Sequence, residues 1–221
     1  VRRVPRWILG LLGASLAAQV LWHAARPTAQ RERQALPPAP RAEVLRLAAL
    51  GEDPAAARLL MLYLQGFDLR ALDYGRLTGW LRATLALDPR SAYPLFAAAR
   101  VFAETSDPAA SRIALEFIYQ EFARDPNRRW PWLAHAALLA KHRLKDLPLA
   151  RRYAAAIDRQ TTSRDVPLWA RQMEVFILED MNELEAARIV LGGLLARGDI
   201  HDPNELRFLQ QKLEELEKRV K

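Results

Sequence analysis

The sequence predicts an all-α fold: a helical-hairpin solenoid preceded by one transmembrane helix. Three observations lead there. Alanine, leucine and arginine dominate the 221 residues and only nine are glycine, a composition that favours helix along the whole chain. A proline-led helix start recurs about every 36 residues. An uncharged apolar run, bracketed by arginines, lies within the first 25 residues.

The apolar run comes first. Trp7 to Trp22, WILGLLGASLAAQVLW, carries no charge and one amide, Gln19. The expected span is 7–25, 19 residues, enough to cross about 30 Å of hydrocarbon at about 1.5 Å per residue. Trp7 and Trp22 suit the two interfacial belts. Residues 1–6 form a basic N-terminus with Arg2, Arg3 and Arg6; Arg26, Arg31 and Arg33 follow the span. The two flanks are nearly balanced, and the amino-terminal cluster tips the expected orientation to N-in, C-out. Val1 fits a valine start codon read literally, hence a bacterial chain. Together these place the expected protein in a bacterial inner membrane, single-pass, with its C-terminal part on the periplasmic side. The alternative is an exported soluble periplasmic adaptor, with Ser15-Leu16-Ala17 offering a small-x-small cleavage site. Gly10, Gly13, Ala14 and Ala17 are spaced so that another transmembrane helix could approach closely. Residues 26–41, with Pro27, Pro37, Pro38 and Pro40, read as a semi-rigid linker.

The net charge of +7 invites a nucleic-acid partner, but its distribution argues otherwise. Residues 1–41 hold seven arginines and one acid, a net +6; the remaining 26 bases and 25 acids give +1. The excess flanks the apolar run and suits membrane lipid rather than a phosphate-tracking surface. With no cysteine, disulfides, thiolate catalysis and cysteine zinc sites are excluded.

Prolines set the register of the rest. Tyr93-Pro94-Leu95-Phe96-Ala97, Trp130-Pro131-Trp132-Leu133-Ala134 and Val166-Pro167-Leu168-Trp169-Ala170 share one pattern at spacings of 37 and 36. Asp202-Pro203 falls 36 further on, and Asp53-Pro54 lies 40 before Pro94. Proline is favoured in the first helical turn, so Pro131 and its counterparts are expected to start helices. A second pattern follows each: Ile113-Ala114-Leu115-Glu116-Phe117, Leu149-Ala150-Arg151-Arg152-Tyr153 and Glu185-Ala186-Ala187-Arg188-Ile189, each 36 apart. Two helices per unit with a period in this range mean a solenoid.

These units resemble the tetratricopeptide repeat family, stretched slightly beyond its usual length. The resemblance covers roughly residues 54–200 and is carried by Asp125-Pro126-Asn127, Trp130, Trp132, Leu149-Ala150-Arg151-Arg152-Tyr153-Ala154 and Glu183-Leu184-Glu185-Ala186-Ala187. The family's Leu-Gly element is missing from every unit. The resemblance implies a scaffold that binds proteins or peptides and has no activity of its own. The expected helices lie near 42–50, 55–65, 73–87, 91–105, 109–123, 129–143, 147–160, 166–179, 183–197 and 204–219. The repeat array is assigned 42–200 and a C-terminal capping helix 201–221, with Leu206, Leu209, Leu213, Leu216 and Val220 forming one apolar stripe.

Residues with binding chemistry concentrate in Arg128–His142. Arg128 and Arg129 could reach acidic groups of a partner while Trp130 and Trp132 supply contact area. The competing reading packs both tryptophans between repeats. His135 and His142 lie seven apart on one helix face, but lack the i,i+4 spacing and nearby carboxylate that zinc chemistry uses, so no metal is expected. The acidic run Glu179–Glu185 fits a turn between helices, and Gly192-Gly193 a close packing point. There is no glycine-rich phosphate loop and no nucleophile elbow. The sequence expectation is therefore a non-enzymatic scaffold without cofactor, nucleic acid or small-molecule substrate. Its partners would be proteins, integral membrane subunits foremost.

Overall fold

The computed structural model describes residues 6–25, 36–68, 72–198, 200 and 202–220. The basic residues Arg2, Arg3, Arg26, Arg31 and Arg33 lie outside the described residues, as does the linker between 26 and 35. The fold is all-α, with no strand among the described residues. The chain divides into two compact units, 1–35 and 36–221.

The first unit contains α1, Arg6–Ala25. Its side chains are described from 10 to 22, and all of those are exposed, Leu11, Leu12, Leu16, Val20, Leu21 and Trp22 among them. Among the described residues no helix is long and apolar enough to cross a membrane.

The second unit begins at Leu36. Residues 36–41 dock on the helices that follow: Leu36 is fully buried, Arg76 donates to its carbonyl at 2.9 Å, and the Trp80 indole donates to the Pro37 carbonyl at 2.8 Å. The helices follow as α2 (Ala42–Ala49), α3 (Asp53–Gln65), α4 (Tyr74–Leu87), α5 (Tyr93–Ala97), α6 (Pro108–Phe122), α7 (Pro126–His142), α8 (Leu147–Gln160), α9 (Leu168–Arg171), α10 (Met173–Asp180), α11 (Leu184–Ala196) and α12 (Pro203–Val220). Substantial packing joins chain neighbours or next-neighbours, α7 with α8 most extensively.

Local sequence accounts for most boundaries. Asp73, Asp107 and Asp146 cap α4, α6 and α8, accepting from Arg76, Ala109 and Leu149 N–H groups at 3.1, 2.9 and 2.9 Å. Proline occupies the first turn of α3, α5, α6, α7 and α8, where its missing N–H is harmless. Pro131 departs from expectation. The helix starts five residues earlier, at Pro126, and Pro131 sits inside it. It is tolerated because Pro131 and Asn127, whose carbonyl loses its helical donor, are both exposed to water. Pro167 stands just before α9, in extended conformation, rather than within it.

Two expected helices are interrupted. The segment 91–105 runs as α5 and then as a π-helical turn, Ala98–Phe102, in which the Ala103 N–H reaches the Ala98 carbonyl at 2.8 Å. The segment 166–179 breaks at the buried Gln172 between α9 and α10.

Hairpin turns reverse the chain through non-glycine residues in the left-handed region, Lys145 (φ 55°) before α8 and Asn182 (φ 59°) before α11. A Cβ in that region is unfavourable by about 1 kcal/mol. Lys145→Gly is therefore expected to raise unfolding stability by up to about 1 kcal/mol, read from the midpoint of denaturant unfolding.

Several cross-links lie at sequence separations of 35 to 40. Arg128 donates to the Arg90 carbonyl (separation 38), Arg143 to Thr105 (38), Arg152 to Glu116 (36), Arg197 to Asp158 (39) and Arg219 to Glu179 (40). Asn127 accepts from the N–H groups of Thr162 and Ser163 at separations of 35 and 36.

Two buried clusters fill the unit. The larger runs from Leu36 to Ile177, with Phe117, Phe122, Leu133 and Tyr153 fully enclosed. The smaller holds Val175, Leu178, Ala187, Leu191, Leu194, Leu209 and Leu216, closed by α12 packing on α11. Lys212 and Arg219 of α12 also clasp Glu179 at 2.9 and 3.1 Å.

The second-helix alignment needs one correction. Placing Glu185-Ala186-Ala187-Arg188-Ile189 at 36 residues after Leu149–Tyr153 equates Ile189 with Tyr153. Tyr153 is fully buried, whereas Ile189 is exposed. The structure places the left-handed residues Lys145 and Asn182, and the starts of α8 and α11, 37 apart. At that spacing Ala187 answers Ala150, both fully buried. One inserted residue turns a helix by about 100°, so the small-large pattern alone selected the wrong face.

Candidate partner-binding surface

The six residues 128–142 singled out by composition separate into distinct environments. Arg129 is 8% exposed and belongs to the interior of the unit. Its guanidinium donates to the Glu121 carboxylate at 2.9 Å, to the Glu121 carbonyl at 2.7 Å and to the Pro89 carbonyl at 3.2 Å. Glu121 is 1% exposed and also meets Arg124 at 2.9 Å and Arg82 at 3.9 Å. This cluster joins α4, α6 and α7 through groups that would be strongly disfavoured if left unpaired. Arg129 is thereby positioned to hold helices together rather than to meet a ligand. Arg128, one residue earlier, is exposed, beside Asp125 at 3.7 Å.

Trp130 and Trp132 point apart, since two residues along a helix are about 200° around it. Trp132 meets Phe96 of α5 edge-on, centroids 5.8 Å apart. Trp130 meets Trp169 of α9 edge-on at 5.5 Å. Phe96 in turn stacks on Tyr93 at 6.3 Å. An aromatic row, divided at α7, thus joins α5, α7 and α9. Tyr93, Phe96 and Trp169 in it remain exposed, while both α7 tryptophans are partly buried.

The two histidines also part company. His142 is exposed. His135 is partly buried, its Nε2 3.6 Å from the Glu104 carboxylate. Burial, aided by the Arg100 charge, lowers its pKa below the ordinary 6.5 against the opposing pull of Glu104, so the imidazole is neutral at pH 7. The unfolded chain then takes up this proton first as pH falls. The contribution of His135 is complete above about pH 6.5 and is lost as pH drops towards the lowered folded-state pKa. His135→Gln is expected to flatten the pH dependence of the unfolding midpoint below about pH 6.5, checked by denaturant titration at several pH values.

Among the described residues no group of three or more His, Asp or Glu side chains is arranged to hold a metal ion.

Composition did not single out a groove of about 340 Å³ along α8, lined by Tyr119, Arg151, Arg152, Arg159 and Glu174 among others. Arg152 lies over the Tyr119 ring at 4.3 Å and binds Glu116 at 2.6 Å; Arg151 bridges Glu174 and Glu183 at 3.3 and 3.2 Å. The sequence signal was the Leu-Ala-Arg-Arg-Tyr string, which alanine packing accounted for first. Its arginines face carboxylates contributed by α6, α10 and the turn before α11, a pairing visible only in three dimensions.

In α1, Gly10, Gly13, Ala14 and Ala17 are exposed, and a Cβ added at Gly10 or Gly13 would meet nothing within 4 Å. No known protein family, curated protein or solved structure matches the chain.

Proposed function

We propose that this chain is a membrane-anchored, tetratricopeptide-like scaffold. In this reading α1 is a single-pass anchor in a bacterial inner membrane, and the helical unit on the periplasmic side binds protein subunits of a membrane complex. It is a binding scaffold rather than an enzyme.

The observation that carries the binding role is the aromatic row on α5, α7 and α9, which leaves Tyr93, Phe96 and Trp169 exposed. Partly exposed aromatics provide large contact area with little side-chain entropy to lose, the chemistry that dominates protein interfaces. Arg128, exposed beside Asp125, supplies a cation for an acidic partner group, and the exposed His142 a second polar contact elsewhere on α7. The solenoid reading is supported by cross-links recurring at separations of 35 to 40. Links about one repeat length apart are what stacked units of this period would form. The anchor reading is supported by a helix with apolar side chains on all its described faces.

The test is purification of the full chain in mild detergent with identification of co-purifying proteins. An integral membrane subunit is expected with it; recovery only as a free monomer overturns the reading. Phe96→Ala combined with Trp169→Ala should weaken capture of that subunit at least tenfold, about 1.4 kcal/mol, with little change in the unfolding midpoint. Unchanged capture removes the aromatic row from the interface. Alkaline carbonate washing tests the anchor separately: the chain should stay with the membrane.

A further inference from the structure

The two ends of the helical unit are finished differently. At the C-terminal end α12 turns Leu209 and Leu216 inward, and its outer surface is charged or amide-bearing apart from Phe208 and Val220. At the N-terminal end no described residue of the unit covers α2 and α3 in a comparable way. Leu47 is 78% exposed, Leu50 90%, Leu59 66% and Leu62 61%, with Val44 alongside Leu47 on α2. Val44 and Leu47 are one helical turn apart, as are Leu59 and Leu62, so each helix presents an exposed apolar stripe, that of α3 opposite its buried side. The buried sides are accounted for: Ala57, Met61 and Leu64 of α3 enter the core, and α2 packs on α3 and α4. A terminal repeat ordinarily needs a polar outer face. This one has leucines.

We propose that the α2–α3 end of the helical unit seats in the interfacial layer of the bilayer, its occupant being lipid rather than protein. The inference rests on the anchor reading of α1 and extends it. Only residues 26–35 separate α1 from Leu36, and ten residues span at most about 36 Å. The apolar stripes therefore belong to the first helices that a membrane-held chain can bring to the surface. Amphipathic helices with exposed leucines bury their apolar face about 5–10 Å into the headgroup boundary. A second copy is the competing occupant, since Ile189 of α11 and Phe208 and Val220 of α12 are exposed at the other end of the unit; the short tether to α1 favours lipid. Local charge sets the mode of binding. Arg41, Arg46 and Arg58 are offset by Glu43, Glu52 and Asp53, and Arg46 lies 3.9 Å from Asp53. Seating is driven by apolar insertion and depends little on anionic lipid.

The absence of cysteine allows single-site labelling of the full chain. Leu47→Cys, Leu62→Cys and, as a control on α11, the exposed Ile189→Cys would each carry an environment-sensitive fluorophore. Each protein is reconstituted into phosphatidylcholine vesicles with or without brominated acyl chains. Quenching of about twofold or more is expected at 47 and 62 and almost none at 189, with little change when anionic lipid is added. Leu47→Asp with Leu50→Asp, labelled at 62, should still float with the vesicles through α1 but lose most of the quenching. Chain that floats while 47 and 62 behave like 189 overturns the inference and leaves the anchor standing. Failure to float overturns the anchor reading, and the inference with it. Shielding at 47 without lipid quenching, accompanied by cross-linking between copies, assigns this face to a second copy and overturns the lipid assignment.

Discussion

Arg129→Ala is expected to destabilise the protein by about 3–5 kcal/mol, because it leaves the carboxylate of Glu121 buried without its principal partner. Glu121 is 1% exposed and accepts from Arg129 at 2.9 Å, while Arg124 and Arg82, both more exposed, stand at 2.9 and 3.9 Å. The Glu121 and Pro89 carbonyls lose a donor at the same time. Arg129→Lys keeps the charge but not the fork that reaches three acceptors, so an intermediate loss is expected. Glu121→Gln combined with Arg129→Met should recover part of the loss, since removing both charges avoids an orphaned ion. Denaturant unfolding of the three variants measures this. A loss below about 1 kcal/mol for Arg129→Ala would mean that water reaches Glu121 and the cluster is not closed. The same result bears on function: weaker partner capture by an Arg129 variant reports unfolding, so interface tests belong on Phe96, Trp169 and Arg128.

Phe117→Ala should cost about 3–5 kcal/mol, whereas Ile189→Ala should stay within about 0.5 kcal/mol. Both residues close the small-large pattern of a second helix, and the 36-residue alignment treats them as equivalents. Phe117 is fully buried in the larger cluster, under the Arg82 guanidinium at 5.5 Å. Ile189 faces water. Val190, packed partly against the smaller cluster, takes the inward position instead. Equal effects of the two alanine substitutions would contradict the one-residue shift in register. Thermal unfolding suffices, since about 3–5 kcal/mol corresponds to roughly 10 °C in a chain of this size.

Helix content and helix boundaries were legible in the sequence because they depend on local chemistry. Asp73, Asp107 and Asp146 cap from within three residues, and prolines at first-turn positions act through their own missing N–H. The stripe Leu209–Leu213–Leu216 likewise encodes its inward face by spacing alone. The candidate site was legible only as a composition. Arg128 and Arg129 are adjacent and chemically identical, yet one is exposed and the other is sealed over Glu121. A turn of about 100° between them decides that difference, and it has meaning only when neighbouring helices are in place. Trp130 and Trp132 are likewise divided, one towards α9 and one towards α5.

By itself, then, the sequence determined that the chain is helical, roughly where each helix runs and that a pattern repeats about every 36 residues. Tertiary structure decided that Pro131 lies inside a helix, that the last second-helix register is shifted by one, and that Arg129 is an internal tie. It also decided which leucines are left uncovered on α2 and α3. The physical reason is one of range. Capping and helical periodicity act within a turn or two. Burial and ion pairing depend on side chains of other helices, up to about 40 residues away, whose approach is set by how the helices pack.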